Sequence, residues 1–288
     1  MSWFTLAVIS VVAVSISSIL QRIMMREKKS DPFVYSFFFQ LFCSILIFAF
    51  AFARGFVPLP FQELAINFFL EAILYGLFAI FIFKALKMAE ASEVTILQTS
   101  SSVWTILVGI LFLGETFSLI KTLGVLFIFS AIVAVSIGQK TKAFFRITRG
   151  GRYALLAALA IGLAFANDAV ILRAPGVEAV SFTAVAFFLP SLFILLISPK
   201  RIIKGISGFL KPSTVLKMGL LGIFYSTSAI TAYLSYQIGG NVSQISPISQ
   251  SRVVLIVILA IFFLNERKNI ALKLLSAALV TVGVILLR

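Results

Sequence analysis

Read from its amino end, the chain is a succession of long apolar runs separated by short polar connections. Runs of about 18 or more apolar residues are long enough to cross a hydrocarbon core roughly 30 Å thick as helices. The pattern predicts ten spans: Trp3–Ile23, Phe33–Ala53, Ile66–Phe83, Ala91–Leu113, Leu119–Ile137, Tyr153–Leu172, Ala179–Ile197, Val215–Tyr236, Val242–Leu264 and Ile270–Leu287. Strict alternation over about ten residues, the mark of a barrel strand, is not seen. The expected fold is therefore all-α and integral to the membrane, because in lipid every backbone polar group must be satisfied internally. Composition agrees: 61% of the 288 residues are hydrophobic and 12% charged. A soluble domain of this size could not cover its outside with so few polar side chains.

A constant offset lays the first half of the chain on the second. It matches Ser92 with Ser243, Ser100 with Ser251, Val103 with Val254, Ile110 with Ile261, Phe112 with Phe263, Leu113 with Leu264 and Glu115 with Glu266. The same offset sets Arg22 on Arg173, each ending the first span of its half. The halves are residues 1–138 and 153–288, joined by a basic loop at 139–152. Each half has an odd number of spans, so the two must enter the membrane in opposite senses. Two inverted five-helix repeats with a site near the midplane are an architecture of secondary transporters.

Charge changes this picture in one respect. The formal net charge of +14 invites a nucleic-acid reading, which the placement of the charges rejects. Only Arg54, Lys121, Arg173 and Arg288 fall on one side of the ten-span arrangement, and Arg252 lies inside a span. Every other Lys and Arg sits in connections one, three, five, seven and nine, as in cytoplasmic loops. The positive-inside rule then places both termini outside. The single cysteine, Cys43, excludes an intrachain disulfide and a multi-cysteine metal site, and the absence of histidine excludes His-based catalysis, metal binding and proton relay. The first apolar run leads into Gln21-Arg22 without a small-residue cleavage site and reads as a retained span. No P-loop is present to cradle ATP, so no cofactor is expected and transport would run on a gradient.

The stretch "ALKMAEASEVTILQTSSSVWTILVGILFLGE" (Ala85 to Glu115), followed by "TLGVLFIFSAIVAVS" (Thr122 to Ser136), resembles the EamA-type members of the drug/metabolite transporter superfamily. The hairpins Leu113-Gly114-Glu115 and Leu264-Asn265-Glu266 stand where that family has an LGE-like turn after the fourth span of each half. The resemblance implies a ten-helix transporter whose spans one, three, four, six, eight and nine line the cavity, with five and ten peripheral. It also implies cytoplasmic termini, the reverse of the charge argument. The chain departs from the family pattern in having Ser102 and Val253 where members often carry a proline, and in lacking a tryptophan mid-way along the first span.

Polar side chains inside spans are expensive and face a cavity or a partner. In span four, Thr95, Gln98, Thr99, Ser102 and Thr105 recur at three- and four-residue spacing on one face, and Ser246, Ser249 and Gln250 occupy the equivalent positions of span nine. These residues either line a substrate site or serve as helix-packing contacts. Arg252 lies midway along Val242–Leu264, near the midplane. Its guanidinium either captures a carboxylate or phosphate of the substrate or pairs internally with Asp168 or Glu71. Those two acids are candidates for a coupling or counter-ion role, and Tyr225 of span eight is a candidate for the site wall. Glu115 and Glu266 read as structural, each capping the helix that follows it.

These features point to a secondary transporter that moves a small polar metabolite, amino-acid-like or an organic anion, by alternating access. The alternatives are an exporter of cationic or amphipathic compounds and, behind it, a passive channel or lipid translocator. An intramembrane enzyme would need a nucleophile–base pair or a carboxylate dyad at depth, and the acids read as scattered singly. The expected partners are a small-molecule substrate and the lipid bilayer, with a gradient either of the substrate itself or of protons as the driving force. No nucleic acid is expected, and the protein is taken as a monomer or homodimer in the cell membrane.

Overall fold

The computed structural model describes residues 2–113, 118–137, 147–238 and 242–286, apart from the side chains of residues 106, 109–113, 135–137, 236–237, 242–247 and 250. Among them the chain forms α1 (Trp3–Arg26), α2 (Pro32–Arg54), α3 (Ala65–Met88), α4 (Ala91–Gln98), α5 (Ser101–Leu113) and α6 (Leu119–Ile137) in the first half. The second half supplies α7 (Arg149–Arg173), α8 (Ala179–Ile197), α9 (Pro199–Phe209), α10 (Pro212–Gln237), α11 (Val242–Phe263) and α12 (Ile270–Leu286). Helices α1, α2, α3, α7, α8 and α10 are long and apolar enough to cross a membrane. The pair α4–α5 makes up the fourth span, and α6, α11 and α12 complete the ten.

Two features differ from the sequence expectation, each for a local reason. Span four is broken between Gln98 and Ser101. There the backbone N–H groups of Ser100, Ser102 and Val103 donate to Leu97, Thr99 and Ser100, three residues back, which is a tighter turn than the α-helix. The hydroxyls of Thr99 and Ser100 donate to the Ile96 and Leu97 carbonyls and hold that turn. Hydroxyl side chains thus make the break with no proline present. The second difference is α9, which falls in a connection expected to be plain loop. Pro199 starts it, Ile202 and Phe209 are buried, and Lys200, Arg201 and Lys204 face outward, as suits a helix lying in the membrane interface. Phe209 stacks on Phe38 with ring centroids 3.7 Å apart.

The helices pack mainly across the repeat boundary. Helix α1 lies against α10, α3 against α7, α2 against α8 and α6 against α12, one helix from each half in every pair. Exchanging the halves maps α1 onto α7, α2 onto α8, α3 onto α10, α4–α5 onto α11 and α6 onto α12. Under that exchange the α1–α11 contact becomes α7 with α4 and α5, and α3–α8 becomes α10–α2; all of these contacts are present. The packing itself therefore carries the pseudo-two-fold of an inverted repeat.

Close crossings depend on small residues, as is common between membrane helices. A Cβ on Gly162 of α7 would stand 2.6 Å from the Ser101 carbonyl, beside the break in span four. One on Gly150 would stand 2.5 Å from the Ala89 Cβ. This second contact explains why the Gly150–Gly151 pair, which resembles a loop, opens α7; the helix starts at Arg149, with Thr148 Oγ1 accepting from Gly151 N at 2.9 Å. On the basic face, Arg201 Nε meets Asp31 Oδ2 at 2.6 Å and Lys217 Nζ meets Glu27 Oε1 at 2.6 Å. Lys87 donates to the Ser30 carbonyl. Connections one, three and seven are thus neighbours in space, as the charge pattern requires.

Candidate functional site

A cavity of about 350 Å³ lies among the spans, bounded by residues of both halves. From α1 come Ser10, Val11, Val14, Ser18 and Gln21, which recur at near-helical spacing on one face. From the broken span come Thr95, Gln98, Thr99 and Ser101, and from α10 come Tyr225, Ser228, Ala229 and Ala232. Helix α11 adds Ser249, Arg252, Val253 and Ile256. Aromatic rings close the wall: Phe39 of α2, Tyr75 and Phe78 of α3, Phe165 of α7 and Phe187 of α8. Tyr225 meets Phe39 and Phe187 edge-on, with centroids 4.9 and 5.7 Å apart. Among the described residues α6 and α12 contribute nothing to this wall and pack on each other at the periphery.

Among the described residues Arg252 is the one charged side chain of the wall. It is half-buried, and among the described residues it has no carboxylate within ion-pair distance and no hydrogen-bond partner in the protein. Five N–H donors on a fixed planar fork therefore face a space large enough for a small molecule.

The two acids considered as partners for Arg252 are engaged elsewhere. Glu71 of α3 and Asp168 of α7 face each other away from the cavity wall. The Tyr75 hydroxyl donates to Asp168 Oδ2 at 2.5 Å, and Asn167 Nδ2 donates to Glu71 Oε2 at 3.0 Å. Asn67 Nδ2 in turn donates to Asn167 Oδ1 at 2.8 Å. The acids that read as scattered are a facing pair, because α3 and α7 pack along their length.

Glu266 is buried and does not cap α12. Its Oε1 accepts from Ala91 N at 2.9 Å, while Oε2 accepts from Ser92 N at 3.2 Å and Ser92 Oγ at 2.8 Å. It therefore caps α4, a helix of the other half, and meets the positive end of that helix dipole. Arg22 Nε and Arg26 Nη2 of α1 each lie 3.5 Å from Glu266 Oε1. Lys273 donates to Glu90 and to the Glu266 carbonyl. One carboxylate thus ties α1, α4 and the α11–α12 turn at the basic end of the cavity, next to Gln21. The expected assignment to the following helix fails because the matching helix end belongs to the exchanged repeat.

Of the remaining expected residues, Thr95, Gln98, Thr99, Ser249 and Tyr225 lie on the wall. Ser102 does not; its neighbour Ser101 does, since the break in span four rotates the face. Glu115 and the side chains of Ser246 and Gln250 lie outside the described residues. The wall also holds Ser10, Ser18, Gln21, Tyr75 and Ser228, which are not among the expected site residues. The spacing of Ser10, Val14, Ser18 and Gln21 was a usable signal for the α1 wall, and Ser10 Oγ donates to the Ser228 carbonyl at 2.9 Å.

A bundle of ten spans in inverted repeats, with a polar cavity shared by both halves and an ion-pair network tying one end, has the build of a membrane transporter. The sequence profile of the EamA-like transporter family matches residues 1–137 and 148–288, and the chain belongs to that family. It is accordingly a multi-pass integral membrane protein of a transporter family, with a small-molecule substrate and lipid as its surroundings. A solved structure titled only "Crystal structure of protein" shares the fold, with a TM-score of 0.62 over 99% of this chain and 94% of the other at 18% identity. A search of the curated proteins found no match.

Proposed function

We propose that the protein carries a small organic molecule with an anionic group across the membrane by alternating access. The carrying observation is Arg252: a guanidinium on the cavity wall without a protein counter-charge among the described residues. A charged side chain at such depth needs compensation, and a carboxylate or phosphate of the cargo supplies it with the geometry the fork prefers. The serines, threonines and Gln98 around it suit the remaining polar atoms, and the rings suit an apolar portion. The moving bodies are not the two sequence halves. Packing favours one body built on α1, α10 and α11 and a second built on α7, α3 and α4–α5, each mixing both repeats, with α2 and α8 packed on each other.

Export of a cationic compound finds less support, because neither Glu71 nor Asp168 lies on the wall. Uptake of labelled amino acids, dicarboxylates and phosphorylated sugars into proteoliposomes tests the proposal. Arg252→Lys keeps the charge but loses the fork, and is expected to cost roughly ten- to hundred-fold in uptake of the accepted compound. Uptake by that variant at the unsubstituted rate overturns the assignment.

A further inference from the structure

Glu71 is fully buried, at 0% exposure. Its Oε2 has a donor, the Asn167 amide, but its Oε1 has none. Asp168 shows the same asymmetry: Oδ2 accepts from Tyr75, and the buried Oδ1 has no donor. Glu71 and Tyr75, one turn apart on α3, hold the adjacent Asn167 and Asp168 of α7, which sets the two carboxyl groups side by side. Ionised carboxylates only accept hydrogen bonds. Such a contact between two of them, away from water, sets like charges together and leaves two acceptors unsatisfied. One proton between them removes both faults, and leaves the pair with a single negative charge.

Among the described residues the surroundings supply no other counter-charge. Helices α5 and α8, packed on α7 and α3, have no titratable side chain. Those of α1 (Arg22, Arg26), α2 (Tyr35, Cys43, Arg54) and α4 (Glu93) stand outside the hydrogen-bonded cluster. Arg173, at the end of α7, is exposed. Tyr75, and Tyr225 beyond it, are the groups that face the pair from the cavity side.

We infer that Glu71 and Asp168 form a binding site for one exchangeable proton, and that Tyr75, part of the cavity wall and donor to Asp168, links this proton to occupancy of the cavity. The proton enters from water as the pair goes from two negative charges to one. In the opposite step the pair repels itself, and the α3–α7 contact that anchors one moving body weakens. The cavity link rests on the carrier reading above; the proton site does not.

Infrared difference spectroscopy of the full chain in lipid, titrated across neutral pH in light and heavy water, reads the proton itself. A carbonyl band from a single buried carboxylic acid per chain is expected, shifted by deuterium. It is lost in both Glu71→Gln and Asp168→Asn, retained in Arg252→Lys, and displaced in frequency but not lost in Tyr75→Phe. Absence of the band, or its survival in both carboxamide variants, overturns the site. Loss of the band on adding sodium chloride at constant pH overturns it in favour of a sodium ion. For the link, thermal stabilisation by the same panel of acids is measured against pH. Stabilisation that falls as pH rises in the unsubstituted protein and is flat in Glu71→Gln supports it, and pH-independent stabilisation in both overturns it. If no acid stabilises the protein, the anionic-cargo reading fails while the infrared result still stands on its own.

Discussion

Glu266→Ala removes the carboxylate that joins the two halves at the basic end. The residue is 2% exposed, accepts three hydrogen bonds from α4 and has two arginines within 4 Å. Removing one partner of a buried ion pair costs about 3–5 kcal/mol, because the other charge stays behind unpaired. Here that charge is Arg22, whose side chain is 12% exposed, and not Arg26, at 41%. Loss of a helix cap is part of the same figure, since cap removal alone costs about 0.5–2 kcal/mol. At roughly 2–4 °C per kcal/mol for a chain of this order of length, the unfolding midpoint should fall by on the order of 10 °C. Cys43 provides the assay: it is the single cysteine and is fully buried. A fluorogenic maleimide reacts with it when the bundle opens, so its labelling temperature in detergent reads the midpoint. Arg26→Ala, an exposed pairing, should cost about 0–1 kcal/mol. In the Glu266→Ala background, Arg22→Ala should recover part of the loss by removing the stranded charge. A Glu266→Ala midpoint within experimental error of the unsubstituted protein, or one equalled by Arg26→Ala, refutes this account of the network.

Gly162→Ala should lower the same midpoint by an amount corresponding to about 1–3 kcal/mol, since its Cβ meets the Ser101 carbonyl at 2.6 Å and the Trp104 Cβ at 2.7 Å; Gly208→Ala, with open space around it, is the control and should be near neutral. Glu178 caps α8. Partial burial pushes its carboxyl up, but the N–H groups of Ser181 and Val180 outweigh that and hold it below its ordinary value. The stability it adds is therefore present at neutral pH, above the unfolded value, and is lost as pH falls through the folded one. The gap between Glu178→Gln and the unsubstituted protein should accordingly close on acidification in Cys43-labelling melts; a gap that widens contradicts the assignment.

The spans were legible because a helix in lipid must be long and apolar, and that demand is written locally. The repeat was legible because Arg22, Ser92 and Glu115 recur as Arg173, Ser243 and Glu266. Contacts between distant spans were not. Glu266 finds its helix end 175 residues away, and Glu71 meets Asp168 only because α3 packs on α7. The break at Thr99–Ser100 was hidden for a different reason: hydroxyl back-bonding leaves no glycine or proline in the text. Helix α9 was hidden because eleven residues of mixed polarity between Pro199 and Pro212 look like loop until Phe209 is seen seated on Phe38. Arg252 was visible at once, since an arginine among aliphatic residues stands out; that it lacks a carboxylate partner among the described residues required the structure.

The cross-repeat pairing also governs how the chain is born. As the first half leaves the ribosome, the surfaces of α1 and α3 that will meet α10 and α7 have no complement yet, because those helices are still unsynthesised. The early half must wait in the bilayer with Ser10, Asn67 and Glu71 lacking their eventual partners Ser228 and Asn167. Assembly is thus a late event, and a chain stopped at the basic linker should be a short-lived insertion intermediate. Two separately expressed halves should survive degradation only when made together.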